Sequence, residues 1–392
     1  MHIAWLGKKS PFCGNVTYGR EVTNALLDRG YQVSFLHFAQ EETTEAVSEA
    51  GGWRESPEGD CQEVPIPFLY KSQIYTIPSF KSSKVLTEAL RQLKPDLVHA
   101  SLTLSPLDFL LPEICEELDL PLVATFHPPF ARKPRNLTSS TQQLTYQFYA
   151  PFLANYDRVI VFSQIQQDLL ARFGVPKSRI AVIPNGVDAD KYSPGLSKLK
   201  TDLQAQRIFM YQGRIAIEKN VESLLRAWKQ AEMGRDSKLL IVGSGPLAPS
   251  LMSTYNEEIG VIWTGFVADE QARIQLLRGA DVFILPSLVE GLSLSLLEAM
   301  SCGLACIATD AGADGEVLQQ GAGIVLDTKR VAAQLHTLLP VFQDHAELTT
   351  LLGRKARQRV LDRYTLSRNI THLEQLYAQV LQQRQIFSST PV

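Results

Sequence analysis

Two adjoining runs constrain this chain most: Asp281-Val-Phe-Ile-Leu-Pro-Ser287 and, two residues on, Glu290-Gly-Leu-Ser-Leu-Ser-Leu-Leu-Glu298. The first is a short apolar run closed by proline and serine, the pattern of a strand buried on both faces of a parallel sheet. The second opens with an acid and a glycine and continues as an apolar run, the pattern of a turn entering a helix. Strand, Gly-bearing turn and helix in that order leave unpaired backbone N–H groups at the helix start. Those groups attract an anion such as a diphosphate. Glu290 then sits at the mouth of the turn and Glu298 further along the helix, displaced by about 1.5 Å per residue. The two acids can grip opposite ends of one elongated ligand. Two solvated acids bounding an amphipathic helix would carry the same letters.

The same strand–loop–helix order recurs along the chain. His2-Ile-Ala-Trp-Leu-Gly7 reads as a strand, Lys8 to Asn15 as a loop, and Val16 onward as a helix that ends at Arg29-Gly30, with Gly30 as its C-cap. Tyr31 to Leu36 is the next strand. Further strands are expected at 95–100, 120–126, 158–163, 180–184, 207–212, 238–242, 261–266, 281–285 and 305–309. Residues 346–383 read as helical. At 392 residues the chain suits two domains of about 150–200 residues each. The polar stretch 191–206 is the boundary, giving an N-terminal Rossmann-like domain over 1–190 and a second over 195–369.

Composition narrows the functional classes. A net charge of −3 argues against nucleic acid as a partner. Five scattered cysteines fit a reducing compartment rather than a disulfide framework. No apolar run approaches the length of a membrane span, and the opening residues enter a strand directly, so no signal peptide is expected and the sequon at Asn136 is taken as chance. The first loop lacks G-x-G-x-x-G, with only Cys13-Gly14-Asn15, which disfavours a dehydrogenase.

Several polar residues fall at strand ends, where open α/β sheets hold their ligands. His127 follows the strand at 120–126. Gly213-Arg214, with Lys219 five positions on from Arg214, follows the strand at 207–212; an arginine fork and a lysine point charge both suit phosphate oxygens. Gly243-Ser-Gly follows the strand at 238–242. Asp188-Ala-Asp190 spells D-x-D but falls in a linker-like loop, and no cluster has metal-ligand spacing.

Glu290 and Glu298 match the E-x7-E signature of family-4 retaining glycosyltransferases, and the chain resembles that family nearly throughout, most closely in its second half. The resemblance implies a GT-B fold, two Rossmann-like α/β domains facing across a cleft, with the last helix (about 370–392) crossing back onto the first domain. It implies a nucleotide-sugar donor, no cofactor and no metal. Arg214, Lys219 and the helix start after Gly291 would stabilise the leaving diphosphate. Glu290 would orient sugar hydroxyls, and Gly291, Leu292 and Ser293 would offer backbone N–H groups. Glu298 would take the ribose hydroxyls, Val267 would read the base through its main chain, and His127 would lie beside the donor sugar. Gly14 and Asn15 stand where the family places a Gly-rich loop near donor phosphates and acceptor. A UDP-sugar 2-epimerase shares this fold, but the E-x7-E and Arg214–Lys219 elements argue against it; an exported solute-binding protein is disfavoured by the expected lack of a signal peptide.

The opening 40 residues and the stretch 127–149 also resemble a subgroup, the cyanobacterial-type digalactosyldiacylglycerol synthases. That implies UDP-galactose as donor, a monogalactosyl lipid as acceptor, and a cytoplasmic enzyme held peripherally on a membrane surface. Charge is distributed accordingly: residues 41–63 carry eight acids against Arg54, whereas 64–94 stand at +4 and 127–180 at +5. Lys81, Lys84, Arg132, Lys133 and Arg135 are the expected docking cluster for anionic head groups.

Overall fold

The computed structural model describes residues 1–11, 13–39, 61–130 and 137–389. The chain forms two compact units, one of residues 1–128, 141–185 and 366–392, the other of 129–140 and 186–365. Most of the acidic segment 41–63, together with Arg132, Lys133 and Arg135, lies outside the described residues.

The first unit contains β1 (His2–Gly7), α1 (Gly14–Asp28), β2 (Gln32–Phe38), β3 (Cys61–Ile66), β4 (Phe68–Lys71), β5 (Thr76–Pro78), α2 (Ser82–Leu93), β6 (Leu97–Ser101), α3 (Leu107–Glu117), β7 (Leu122–Thr125), α4 (Leu137–Leu153), β8 (Arg158–Val161), α5 (Gln164–Arg172) and β9 (Ile180–Val182). Seven strands pair in the order β3-β2-β1-β6-β7-β8-β9, all parallel. Both faces are covered, which is why Ile3, Ala4 and Trp5 are all fully buried in succession. Helix α1 starts at Gly14, two residues earlier than its apolar pattern suggested, so Gly14 and Asn15 lie in its first turn. It ends where Gly30, at φ +82°, adopts the left-handed conformation and Tyr31 N donates back to Leu26 O.

The helical stretch 346–383 is divided at residues 364–365, where Val187 N donates to Tyr364 O and Val187 pairs with Thr365, so the last helix starts at Leu366, a few residues before the expected 370. The C-terminal helix Leu366–Ser389 belongs to the first unit. Arg29 holds it through Ser367 O at 2.7 Å, Arg158 through Gln383 at 2.8 Å, and buried His99 through Tyr377 Oη at 2.5 Å.

The second unit continues with α6 (Leu199–Asp202), β10 (Arg207–Gln212), α7 (Val221–Ala231), β11 (Ser237–Val242), α8 (Ala248–Thr254), β12 (Val261–Gly265), α9 (Glu270–Gly279), β13 (Val282–Leu285), α10 (Leu294–Ser301), β14 (Ala305–Thr309), α11 (Asp314–Val317), β15 (Ile324–Leu326), α12 (Val331–Asp344) and α13 (Ala346–Arg363). Its six parallel strands run β12-β11-β10-β13-β14-β15. Strand β13 is 0–2% exposed throughout, and each of its side chains stabilises the unit by about 1.5–3 kcal/mol through burial. Both units are Rossmann-like α/β layers.

Candidate active site

Strand order locates the sites. In the second sheet it reverses between β10 and β13, and in the first between β1 and β6. The connections leave such a pair of strands in opposite directions, opening a crevice at their C-terminal ends. In the second unit that crevice receives the loop carrying Gly213, Arg214 and Lys219 and the loop carrying Glu290.

These loops are packed backbone to backbone. Gly213 N donates to Val242 O at 2.9 Å and Gly243 N to Gly265 O at 2.8 Å. Gly243 sits at φ +138°, where a Cβ would lie 1.9 Å from Gly213 O, so only glycine fits. Across the crevice, Leu288 N donates to Glu218 O at 2.8 Å and Asn220 Nδ2 to Pro286 O at 3.1 Å. Held by these bonds, Lys219 Nζ donates to Glu290 Oε1 at 2.6 Å. Burial works against the lysine charge, but Glu290, with Asp314 and Glu218 beyond it, outweighs that and holds its pKa above the ordinary value. Glu290 O accepts from Phe130 N at 3.2 Å. Arg214 has an exposed guanidinium, 3.9 Å from Glu218.

The helix start is more fully engaged than the sequence pattern implied. Ser293 caps α10 with its hydroxyl, and its N–H donates to Asp314 Oδ1 at 2.9 Å. That N–H, expected to face a ligand, is taken by the fold. Asp314 is fully buried and its Oδ2 has no partner. Burial, then the Glu290 carboxylate, pushes it well above the usual carboxylate range. Gly291 is half-buried and Leu292 buried beside it. Glu298 is 8% exposed and accepts from Gln212 Nε2 at 2.8 Å, while Gln212 Oε1 is buried without a partner. The carbonyl of Val267 accepts from Arg273 at 2.9 Å. Asp188 Oδ1 accepts the N–H groups of Asp190 and Lys191, so this carboxylate closes a turn. Among the described residues no group of three or more metal-ligating side chains forms.

In the first unit, β6 and β7 bring Ser101 and His127 together at their C-terminal ends. Ser101 Oγ donates to Asn15 Oδ1 at 2.7 Å and lies 2.8 Å from His127 Nε2. With the serine proton given to asparagine, His127 Nε2 must be the donor, and Nδ1 keeps its lone pair. Burial, then Lys8, lowers the His127 pKa to about 3, so the ring is neutral. Asn15 Nδ2 donates to Leu102 O at 3.1 Å, which fixes the amide's orientation. Gly14 is exposed, with open space where a Cβ would stand. Beneath this relay, His99 reaches Thr125 at 2.8 Å and stacks on Trp5 at 4.0 Å. Lys81 and Lys84 are exposed at the start of α2.

Comparison with known proteins bears on the fold and the family. Residues 14–191 match the model described as Glycosyltransferase Family 4, and residues 206–341 the model described as Glycosyl transferases group 1. Both halves of the chain match glycosyltransferase models, the first half that of family 4. This glycosyltransferase is 26% identical to the Escherichia coli UDP-Gal:alpha-D-GlcNAc-diphosphoundecaprenol alpha-1,3-galactosyltransferase, over 80% of this chain and 82% of that one. It is 26% identical to the Arabidopsis thaliana sulfoquinovosyl transferase SQD2, over 71% of this chain and 55% of that one, so it spans little more than half of that relative. Among solved structures, sucrose-phosphate synthase from Thermosynechococcus elongatus superposes with a TM-score of 0.75 at 20% identity, over 99% of this chain and 100% of that one. Anabaena HepE in complex with UDP-glucose superposes with 0.73 at 18% identity, over 97% and 100%. These two likenesses establish the GT-B fold.

Within this glycosyltransferase, sequence reasoning missed Gln212, Asp314 and Ser101. Gln212 and Ser101 are the last residues of β10 and β6, and the strand-end rule that singled out His127 applies to both. Asp314 carries no such mark. It lies five residues past β14, and only the fold brings it under Ser293.

Proposed function

We propose that this glycosyltransferase moves galactose from UDP-galactose to a monogalactosyl lipid, with retention and without a metal, as a digalactosyldiacylglycerol synthase does. The observation that carries the donor half is the Lys219–Glu290 pair beside the exposed Arg214 at the strand-order reversal. Cleavage of the bond between the anomeric carbon and the diphosphate oxygen leaves growing negative charge on the diphosphate. Two cations at this place, Lys219 held by Glu290 and the exposed Arg214, stabilise that charge. Glu290 holds hydroxyls of the sugar, Glu298 accepts from the ribose, and the main chain of Gly291, Leu292 and Val267 lines the rest of the donor. The acceptor hydroxyl attacks from the face the diphosphate leaves, and its proton passes to a departing phosphate oxygen. In the first unit, taken as the acceptor side, His127 Nδ1 accepts a hydroxyl of the donor sugar, and Gly14 and Asn15 border the donor phosphates and the acceptor. The acceptor half is supported by the resemblance of residues 1–40 and 127–149 to the digalactolipid-forming enzymes and by relatives whose names specify lipid-linked acceptors. Lys81, Lys84, Arg132, Lys133 and Arg135 would draw the enzyme to an anionic membrane. Among the described residues no helix is long and apolar enough to cross one.

The test is a screen of UDP-galactose, UDP-glucose and GDP-mannose against detergent-dispersed monogalactosyldiacylglycerol and free sugars, with and without EDTA. The expected products are UDP and a digalactosyl lipid whose new linkage keeps the donor's anomeric configuration, formed equally in chelator. Turnover without acceptor would indicate an epimerase, and transfer to free sugars alone would replace the lipid. Loss of activity in EDTA, restored by Mg²⁺, would assign the diphosphate to a cation and bring Asp188 and Asp190 back into consideration.

A further inference from the structure

The largest run of unburied apolar side chains in the described first unit lies on β4, β5 and the turn into α2. Leu69, Tyr70, Ile74, Tyr75, Ile77 and Phe80 are 41–99% exposed, Phe80 almost completely. Strand pairing puts Tyr70 and Ile77 on one face, with Ile74 and Phe80 exposed in the turns on either side of β5. Tyr70 pairs with Ile77 and Lys71 with Thr76, and paired residues point to the same side. Thr76 is fully buried, so the Lys71–Thr76 side faces the body of the unit and the Tyr70–Ile77 side faces out. Phe68 pairs with Pro78, leaving Leu69 as the extra residue of a β-bulge, which turns it outward as well. Tyr70 and Tyr75 rings lie 5.6 Å apart on this face.

The hairpin is firmly mounted. Lys71 Nζ donates to Phe38 O at 2.8 Å and Ser10 Oγ at 2.9 Å, Lys8 Nζ donates to Ser72 O at 3.2 Å, and Thr76 N to Leu104 O at 3.4 Å. It is therefore fixed at the C-terminal ends of β1, β2 and β6, the same edge of the sheet that carries Asn15, Ser101 and His127. The exposed Lys81 and Lys84 follow it at once, and no acid occurs between residues 64 and 87.

We infer that this hairpin face inserts into the interfacial layer of an anionic lipid membrane. An outward face of leucine, isoleucine and phenylalanine gains by leaving water, tyrosines suit the boundary between head groups and acyl chains, and flanking lysines without acids match negative head groups. The inference deepens the proposed function, on which it rests for the lipid acceptor. A hairpin inserted here holds the sheet edge bearing His127 against the surface from which a lipid head group projects. The earlier docking cluster then supplies attraction, and the hairpin supplies the hold.

The test uses the full chain and vesicles free of galactolipid, phosphatidylcholine with or without phosphatidylglycerol. Wild type is compared with Ile74→Ser/Ile77→Ser/Phe80→Ser and with Lys81→Gln/Lys84→Gln. The triple variant is expected to bind the mixed vesicles at least about tenfold more weakly, in low and high salt, with its circular dichroism and Tm unchanged. The double variant should lose only the salt-sensitive part. A Phe80→Trp variant should be quenched, beyond wild type, by lipids brominated on their acyl chains. Equal binding by the triple variant, or no added quenching, would overturn insertion. So would a wild-type dimer that the triple variant abolishes, which would give this face to a second copy. Since no galactolipid is present, failure of the galactolipid reading leaves this result standing, and absence of binding leaves transfer to a dispersed acceptor to be judged separately.

Discussion

The two strand-order reversals of this enzyme are filled by opposite kinds of polar chemistry. In the second unit the crevice holds charges, Lys219 on Glu290 with Arg214 exposed nearby, while the buried Asp314 next to them has its pKa pushed up. In the first it holds a neutral relay, Asn15–Ser101–His127, over a second neutral histidine, His99. One parallel-sheet architecture thus presents an ion pair at one site and, beside the cation Lys8, uncharged hydrogen-bond partners at the other. On the proposed function, the difference follows from the partners to be recognised. A diphosphate needs cations, and a buried cation needs an acid to hold it. Sugar hydroxyls need an aligned lone pair, and a neutral imidazole provides one without the cost of burying charge.

The largest expected effect breaks the charged side. Arg214→Ala and Lys219→Ala should each lower kcat/KM by the equivalent of about 2–4 kcal/mol, as loss of a preorganised charge stabiliser does. The sequence alone treats both as loop residues replaceable without harm to the fold. The ion pair separates them: Lys219→Ala strands Glu290 beside Asp314 and should also lower the Tm, whereas Arg214→Ala should not. Calorimetry showing equal Tm for the two variants would remove the structural half of the contrast.

The neutral side should be exposed by acid. Burial, then the neighbouring His127, holds His99 at about 3, against 6.5 in an unfolded chain. The unfolded chain therefore binds protons that the folded one does not, and stability present above pH 6.5 is lost as pH falls toward 3. The slope reaches at most about 1.4 kcal/mol per pH unit for each such histidine. Asp108, pushed up to about 6 by burial, acts in the opposite sense between 3.8 and 6 and makes the fall shallower there. A His99→Gln variant should lose stability less steeply between pH 6.5 and 4 in thermal melts. Parallel curves for variant and wild type would exclude the histidine as the cause.

A smaller effect is expected at Ser101. Replacement by alanine frees His127 Nε2 and Asn15 Oδ1 and should cost about 1 kcal/mol in transfer, through KM more than kcat, with threonine rescuing what alanine loses. Smallest is Gln212→Ala, which removes one hydrogen bond to Glu298. The donor KM should rise several-fold at constant kcat, since a ribose contact is made equally in ground and transition states. A fall in kcat would move Glu298 into the chemical step.

Legibility from sequence followed burial. Parallel strands buried on both faces are continuous apolar runs, so β1, β10 and β13 could be read from their letters almost to the residue. The β4–β5 hairpin could not. Its prolines and lysines made it look like a basic surface stretch, because a one-sided sheet interrupted by a bulge does not repeat every two residues. Within the helical stretch 346–383 the resemblance set off a last helix at about 370, but where the break falls depends on Val187, far away in the chain.

Sequence by itself determined the alternation of strand, loop and helix, and with it two α/β sheets bearing polar residues at their strand ends. Those features rest on local periodicity and on turn chemistry within a few residues. Tertiary structure alone decided the pairings: Lys219 with Glu290 across 71 positions, Ser101 with Asn15 across 86, Ser293 with Asp314 across 21. It also decided that Tyr70 faces outward while Thr76, opposite Lys71, is buried. Such choices depend on strand order and on which face the rest of the chain covers, and no local run of residues encodes either.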